Sequence, residues 1–435
     1  MPFTEPISPD RKRRVLIVGG STRAAASSAR RAGLQPICAD LFADHDLRRI
    51  AEVVTVRNFP DSLPEDIAHV QADGWFYTGA LENRPDLIQR MDRPDASYGP
   101  LWGTNAAALR LIRDPFRVAS TLRQNGHRTL EVAGQSSAPP ANGTWMLKPL
   151  ASAGGRAVCL WEESRRSQGI HEPVYFQQFC HGETLSAVFR CESTGITLLG
   201  MSRQLPGHQL SNAAATFQPV IKGVRPSPGI RFPSQIDCPP KGLTPFTTGC
   251  YLYSGSLAPL PCDAPGDLYF EQGQQVKRQL QSLADVCELR GIVGVDFIKD
   301  DNGTPWLLEV NPRYTASVEI LELAKQESFL KKPDNEPALR HSNESPVVMK
   351  LILYAPQTVV IGDLTHHAVG DDWTVPHIAD IPSPGSQIPS GWPICTVFAF
   401  GTTEAECTAR LKRRVDTVWK MVNYRGNEPD ERFQE

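Results

Sequence analysis

Apolar and polar positions follow two different periods along this chain. Val15-Leu-Ile-Val18 is a short apolar run that enters Gly19-Gly20-Ser21, then an alanine-rich stretch over 22–32 closed by Gly33. That order predicts strand, tight turn and helix. A second strand pattern over 35–39 ends at Asp40, others lie near 53–56 and 74–77, and a helix pattern covers about 106–112. The alternation predicts an α/β domain with a parallel sheet over residues 1–115. Residues 116–330 mix short strands with one amphipathic helix, where Val276, Leu280, Leu283 and Cys287 recur at helical spacing. Within them, 204–266 is rich in proline and glycine and poor in period, which predicts long loops with a few strands. Residues 331–345 are polar and charged, a linker pattern. From 346 to 435 the pattern is α+β, with strands over 347–354 and 394–400 and a last helix over 403–422. No internal repeat is visible.

The most informative hairpin runs from Gly294-Val-Asp296 through Asn302-Gly303 to Glu309-Val-Asn311-Pro-Arg313. Asn-Gly is the strongest short hairpin signal. A two-residue turn there places Asp301 opposite Thr304, Ile298 opposite Leu307 and Asp296 opposite Glu309, with Asn311 on the face of Glu309. Two carboxylates facing each other destabilise the ladder unless a cation lies between them. Mg²⁺ takes such oxygens and completes its shell with phosphates. A solvated hairpin fits less well, because Val293, Val295, Phe297, Leu308 and Val310 surround these acids.

Composition narrows the function classes. At 435 residues the chain is long enough for two or three domains. Its net charge of −3 gives no electrostatic pull on nucleic acid or an anionic membrane. No apolar run is of membrane-spanning length, and only four apolar residues follow the basic cluster at Arg11–Arg14, too few for a signal peptide. The 10 cysteines show no C-x-x-C spacing, which suits reduced core residues and a cytoplasmic location.

Three further groups carry candidate chemistry. The turn at Gly20 and Ser21 would present backbone N–H groups to an anion, and Asp40 lies where a dinucleotide-binding fold places its ribose acid, but the third glycine of G-x-G-x-x-G is missing. Trp145-Met-Leu-Lys148-Pro149 leads into Ala151-Ser152-Ala-Gly154-Gly155, a point charge followed by a close-approach loop, which suits a polyphosphate but is not the P-loop pattern. Val174-Tyr-Phe-Gln177-Gln178-Phe179-Cys180-His-Gly-Glu183 places amides and a carboxylate at a strand end, suited to a purine rim and ribose hydroxyls.

Taken in order, the strand lysine with its glycine loop, the Q-x-F-x-x-G-E hinge and the D-F…L-L-E-V-N-P-R hairpin resemble the ATP-grasp superfamily, over about 15–330. The nearest group is the carboligases related to biotin carboxylase, whose carboxyl-terminal region the tail resembles at Ala379–Gly401. The resemblance implies an ATP-grasp architecture with an amino-terminal Rossmann-like parallel-sheet domain, a central ATP-grasp domain and a small α+β region. It also implies that Lys148, Ser152, Gly154 and Gly155 hold the phosphates of ATP. Gln177, Gln178, Phe179 and Cys180 would border adenine, and Glu183 would take the ribose. Asp296, Glu309 and Asn311 would hold Mg²⁺ or Mn²⁺, and Arg313 would stabilise an acyl phosphate. The lysine these families carry in an Asp-Lys pair is absent, because Pro115 follows Asp114; Arg113 or Arg117 would have to replace it.

The implied activity is ligation of a small-molecule carboxylate to an amine, releasing ADP and phosphate. One such reaction is addition of glutamate in methanopterin- or methanofuran-type cofactor assembly, in one-carbon metabolism. Gly20, Ser21, Glu82, Asn83 and Tyr253 are the candidate substrate contacts. Dimers are common in such families, so a homodimer is expected. Bicarbonate activation of the biotin carboxylase type, a nucleotide-binding regulator without turnover, and a dehydrogenase built on the glycine turn are the competing readings.

Overall fold

A computed structural model describes residues 12–151, 154–155, 157–166, 172–206, 253–331, 346–368 and 372–424. The first strands, β1 (Arg14–Gly19), β2 (Gln35–Asp40), β3 (Glu52–Val54) and β4 (Trp75–Tyr77), form a parallel sheet in the order β3-β2-β1-β4. Their apolar runs are buried on both faces, as a parallel sheet requires. The carboxyl ends of β1 and β4 bring two turns together: Gly20 N–H donates to Gly79 O at 3.0 Å and Thr78 Oγ1 to Ser21 O at 3.0 Å. Asp40 is consumed by this domain. It accepts from Thr22 Oγ1 at 2.8 Å and from the N–H groups of Phe42 and Ala43 at 2.8 and 2.7 Å.

Next come β5 (Val132–Gly134), β6 (Asn142–Pro149), β7 (Cys159–Glu162) and β8 (Val174–Gln178), an antiparallel sheet ordered β5-β8-β6-β7. They are followed by β9 (Glu183–Glu192), β10 (Gly195–Pro206), β11 (Tyr253–Ala258), β12 (Gly291–Lys299), β13 (Pro305–Asn311) and β14 (Val347–Tyr354). The last strands are β15 (Val359–Ile361), β16 (Ile378–Ala379), β17 (Gln387–Ile388), β18 (Pro393–Gly401) and β19 (Val422–Tyr424). The large sheet has the order β13-β12-β9-β10-β11-β14-β18-β16, so the carboxyl-terminal strands continue the central sheet and only β17-β15-β19 stand apart. Pairing of β14 with β11 covers what would otherwise be an open edge.

Helix Phe270–Ala284 buries Val276, Leu280 and Leu283 as the period predicts; Cys287 is buried just beyond its end. The loop region expected over 204–266 starts as strand in β10 and contains β11, after which residues 259–266 run as loop. Residues 207–252 and the linker residues 332–345 lie outside the described ones. Among the described residues no helix is long and apolar enough to cross a membrane.

The hairpin formed by β12 and β13 departs from the two-residue turn in an instructive way. Ile298 pairs with Trp306, not Leu307, and Gly303 N–H donates to Asp300 O at 2.9 Å, so the turn holds three residues. The Asp300 carboxylate sets this wider turn by accepting from the N–H groups of Asn302 and Thr304, each at 2.9 Å, and from the Trp306 indole at 2.9 Å. A bulge at Leu308 then shifts the ladder back by one residue. Asp296 therefore does face Glu309.

Candidate active site

A cavity of about 540 Å³ lies between the β5–β8 sheet and the large sheet. From the small sheet it takes Lys148 at the end of β6, the turn residues Gly154 and Gly155, and Gln177, Gln178, Phe179 and Cys180 at the end of β8. From the large sheet it takes Asp296, Glu309, Asn311 and Arg313, and from β11 Tyr253. Residues far apart in the chain thus converge as expected. Ser152 lies outside the described residues.

Local geometry gives each group a defined partner. Lys148 Nζ donates to Gln177 Oε1 at 2.6 Å; burial pulls its ammonium below the usual lysine range, while Glu309 and Asp296 pull the other way. Asp296 accepts from Ser186 Oγ at 2.5 Å, Gln204 Nε2 at 2.8 Å and Asn311 Nδ2 at 2.9 Å. Burial and the facing Glu309 nevertheless push its carboxyl up to about 6. Glu309 is also penalised by burial, yet Arg113, Lys148 and Arg313 outweigh that and hold it below the ordinary carboxylate range. Arg113 makes a close ion pair with Glu309, whereas Arg117 pairs with Asp114 at 3.5 Å and does not line the cavity. Gly154 O accepts from Tyr253 N–H at 2.9 Å, which pins the glycine turn to β11. The Phe179 N–H is already used, donating to Thr144 O at 2.9 Å.

Of the residues expected to hold ATP, Glu183 is the one among those described that does not line the cavity. Side chains alternate along β9, so Thr184 and Ser186 face the cavity while Glu183 faces the other way. There it pairs with Lys299 Nζ at 2.9 Å and accepts from Tyr269 OH at 3.0 Å. The ribose role expected of it is withdrawn. Of the substrate candidates, Gly20 and Ser21 line no part of this cavity. Glu82 and Asn83 reach its edge through two arginines: Arg313 Nη2 lies 2.6 Å from Glu82 Oε1, and Arg113 Nη2 donates to Asn83 Oδ1 at 3.1 Å. Glu82 is 1% exposed, and among the described residues neither of its oxygens has an aligned hydrogen-bond donor. Ser186 and Gln204 went unnoticed in the sequence. Strand parity from Thr184 would have found Ser186; Gln204 depends on cross-strand pairing, which leaves no local mark.

A family profile described as the ATP-grasp domain matches residues 112–317. The matched stretch is similar to the ATP-grasp domain. It contains every charged side chain lining the cavity, while Glu82 and Asn83 are supplied by the parallel-sheet domain before it. Solved structures extend the likeness to the rest of the chain. L-amino acid ligase from Bacillus licheniformis is 14% identical, with 96% of this chain and 100% of that one covered and a TM-score of 0.62. The biotin carboxylase domain of 2-oxoglutarate carboxylase from Hydrogenobacter thermophilus, solved with MgADP, ADP and bicarbonate, is 12% identical over 94% of this chain and 90% of that one, TM-score 0.60. Phosphoribosylamine–glycine ligase from Thermotoga maritima is 16% identical over 95% and 98%, TM-score 0.57. At such identities the likeness is one of fold: an ATP-grasp architecture behind an amino-terminal parallel-sheet domain. No curated protein sequence matches the chain.

Proposed function

We propose that the chain is an ATP- and Mg²⁺-dependent ligase that joins a carboxylate to an amine through an acyl phosphate. The observation that carries this reading is the Asp296–Glu309 pair, set face to face in a cavity that also receives Lys148, Arg113 and Arg313. Asp296, Glu309 and Asn311 are hard oxygen donors, and burial together with the facing Glu309 raises the carboxyl of Asp296, a cost that a cation placed between the two acids would relieve. That donor set fits Mg²⁺ or Mn²⁺. Among the described residues no three acids, histidines or cysteines gather at one point, so oxygens from a bound phosphate would have to complete the shell. The bound ion would supply positive charge against the β- and γ-phosphates.

The chain's own groups do the rest. Lys148 would hold the phosphates and the Gly154–Gly155 turn would close over them; Gln177 and Gln178, with Phe179 and Cys180, would border the adenine. A substrate carboxylate oxygen attacks the γ-phosphorus, the bond to the bridging oxygen breaks, and ADP leaves with that electron pair. Arg313 would face the negative charge of this group. The amine nitrogen then attacks the acyl carbon, phosphate departs, and the nitrogen gives up a proton to water. Such a sequence needs no protein nucleophile. Two proteins of similar fold are named as ligases of an amino acid or of glycine, which makes α-amino acids the first substrates to try, with glutamate among them.

ADP release measured with a panel of amino acids and amines, each with Mg²⁺ and ATP, tests the reading. Release that needs both a carboxylate and an amine, and is lost in Glu309→Ala, is the expected result. Release with bicarbonate alone favours the carboxylase reading, in keeping with the bicarbonate-bound neighbour. Nucleotide binding without release under any condition overturns both and leaves a regulator.

A further inference from the structure

We propose that Glu82, from the parallel-sheet domain, is a positioning residue that aims the Arg313 guanidinium at the phosphoryl group being transferred. The proposal rests on the Mg·ATP reading above. Glu82 lies in a single helical turn, Leu81–Asn83, that follows the carboxyl end of β4. The chain enters that turn through Ala80 at a φ of 83°, a positive value that an alanine adopts only under strain. Leu81 is fully buried in the core of the same domain and holds the strained turn in place. The outcome is a carboxylate turned away from water and set beside a cavity whose charged groups belong to another part of the chain.

Arg313 is the cation it serves. Among the described residues Glu82 is the carboxylate in contact with Arg313, whose Nη2 lies 2.6 Å from Oε1. The other bonds of that guanidinium go to neutral oxygens close by in the chain, Tyr314 O at 3.2 Å and Asn311 Oδ1 at 3.5 Å. The Gly79 backbone packs against the same group: a methyl placed on it would sit 3.7 Å from Arg313 Cζ. Among the described residues neither Glu82 oxygen is aligned with a donor, so the contact is one of charge without a shared hydrogen bond. A forked carboxylate would take two of the guanidinium donors for itself. A carboxylate set beside the fork attracts it, fixes where it sits and leaves donors for a ligand oxygen. Arg113 is drawn by the same acid. Burial opposes its charge, and Glu309 followed by Glu82 outweighs that.

The test is a calorimetric titration of the full chain, with Mg²⁺ present and two probes. One is a non-hydrolysable ATP analogue. The other is ADP with aluminium fluoride, whose flat anion stands in for the phosphoryl group in transfer. Glu82→Gln should weaken the second probe by about tenfold and the first by less than about twofold, because only the second presents the charge that Arg313 faces. Arg313→Met should show the same selective loss, about tenfold or more. The double variant should lose no more than Arg313→Met alone, since residues that act as one unit are not additive. A Glu82 that only fastened the fold would lower the urea midpoint and leave the ratio of the two affinities unchanged. Should Glu82→Gln fail to fold, Glu82→Asp keeps the charge, withdraws it by one methylene and should show the same selective loss. A folded Glu82 variant with the native ratio, or a double variant whose losses add, overturns the proposal. If the native protein binds neither probe, it is the Mg·ATP reading that fails, and the role of Glu82 falls with it.

Discussion

Two clusters of buried charge flank the segment from Asn311 to Ala316, built from the same residue types and left in opposite states. In the first, Arg23 of helix Arg23–Arg31 meets Glu319 of helix Ala316–Lys325 at 3.2 Å and Asp380 at 3.0 Å, and Lys350 Nζ reaches Glu319 at 3.3 Å. Beside it Glu322 accepts from Ser28 Oγ at 2.6 Å, Arg31 Nε at 3.0 Å and Phe329 N–H at 2.7 Å. Each acid there is answered by a cation or a donor, and the cluster fastens the parallel-sheet domain to the helix behind the active site. In the second, around the cavity, two carboxylates face each other at Asp296 and Glu309, and among the described residues both oxygens of Glu82 lack aligned donors. Charge that is fully answered holds a fold together. Charge left partly unanswered beside a cavity can meet a ligand.

The sharpest way to break this contrast is to remove one acid from the cavity. Asp296→Asn should lower ADP release by about 10²–10³-fold, the scale seen when one electrostatic contact to a transition state is lost. The ligand-free protein should keep its stability or gain slightly, because the substitution relieves repulsion with Glu309. Steady-state kinetics and urea unfolding of the same preparation check both halves. A variant that loses stability and keeps its turnover would place Asp296 in the structural cluster instead.

How much of this could be read from sequence follows from how local each signal is. Lys148, Gln177 and the Asp296–Glu309 facing lie in short contiguous patterns, and all three met in the cavity. The facing was reached through two compensating one-residue shifts: the Asp300-braced turn lengthens the loop, and the bulge at Leu308 restores the register. Glu183 sat in a recognisable motif, but motif spacing does not say which face of β9 a side chain takes. Arg113, Gln204 and the Arg23–Glu319 link join segments distant in the chain, and no local period records such a meeting. The continuation of the central sheet into β14 and β18 was hidden for the same reason.

The next effect belongs to the structural cluster. Glu319→Gln leaves Arg23 and Lys350 buried without their shared anion, so unfolding free energy should drop by about 3–5 kcal/mol. Nucleotide affinity, measured on the folded fraction at low temperature, should stay within about twofold of native, since a loss of about 0.4 kcal/mol or less is expected at a site it does not touch. Weakened binding with intact stability would mean that the two clusters are one.

The smallest effect is the pH dependence of the same link. Burial opposes the charge of Glu319, but Arg23 and Lys350 outweigh it and hold its carboxyl down at about 2, against an ordinary value of 4.5. A depressed carboxyl adds stability that is complete above its unfolded value and disappears as pH falls through its folded one. The shift corresponds to something on the order of 3 kcal/mol, lost between about pH 4.5 and pH 2. Asp46 and Glu322 act with the opposite sign. Burial raises both, so charging them weakens the fold as pH climbs above their ordinary values. Comparing native protein with Glu319→Gln at each pH cancels those shared contributions. The stability gap between the two, followed by urea unfolding from pH 7 to pH 2.5, should hold steady down to about pH 4.5 and then narrow. A gap that stays constant to pH 2.5 would show that Glu319 is not held ionised by Arg23 and Lys350, and the contrast between a satisfied cluster and a reserved one would lose its firmer half.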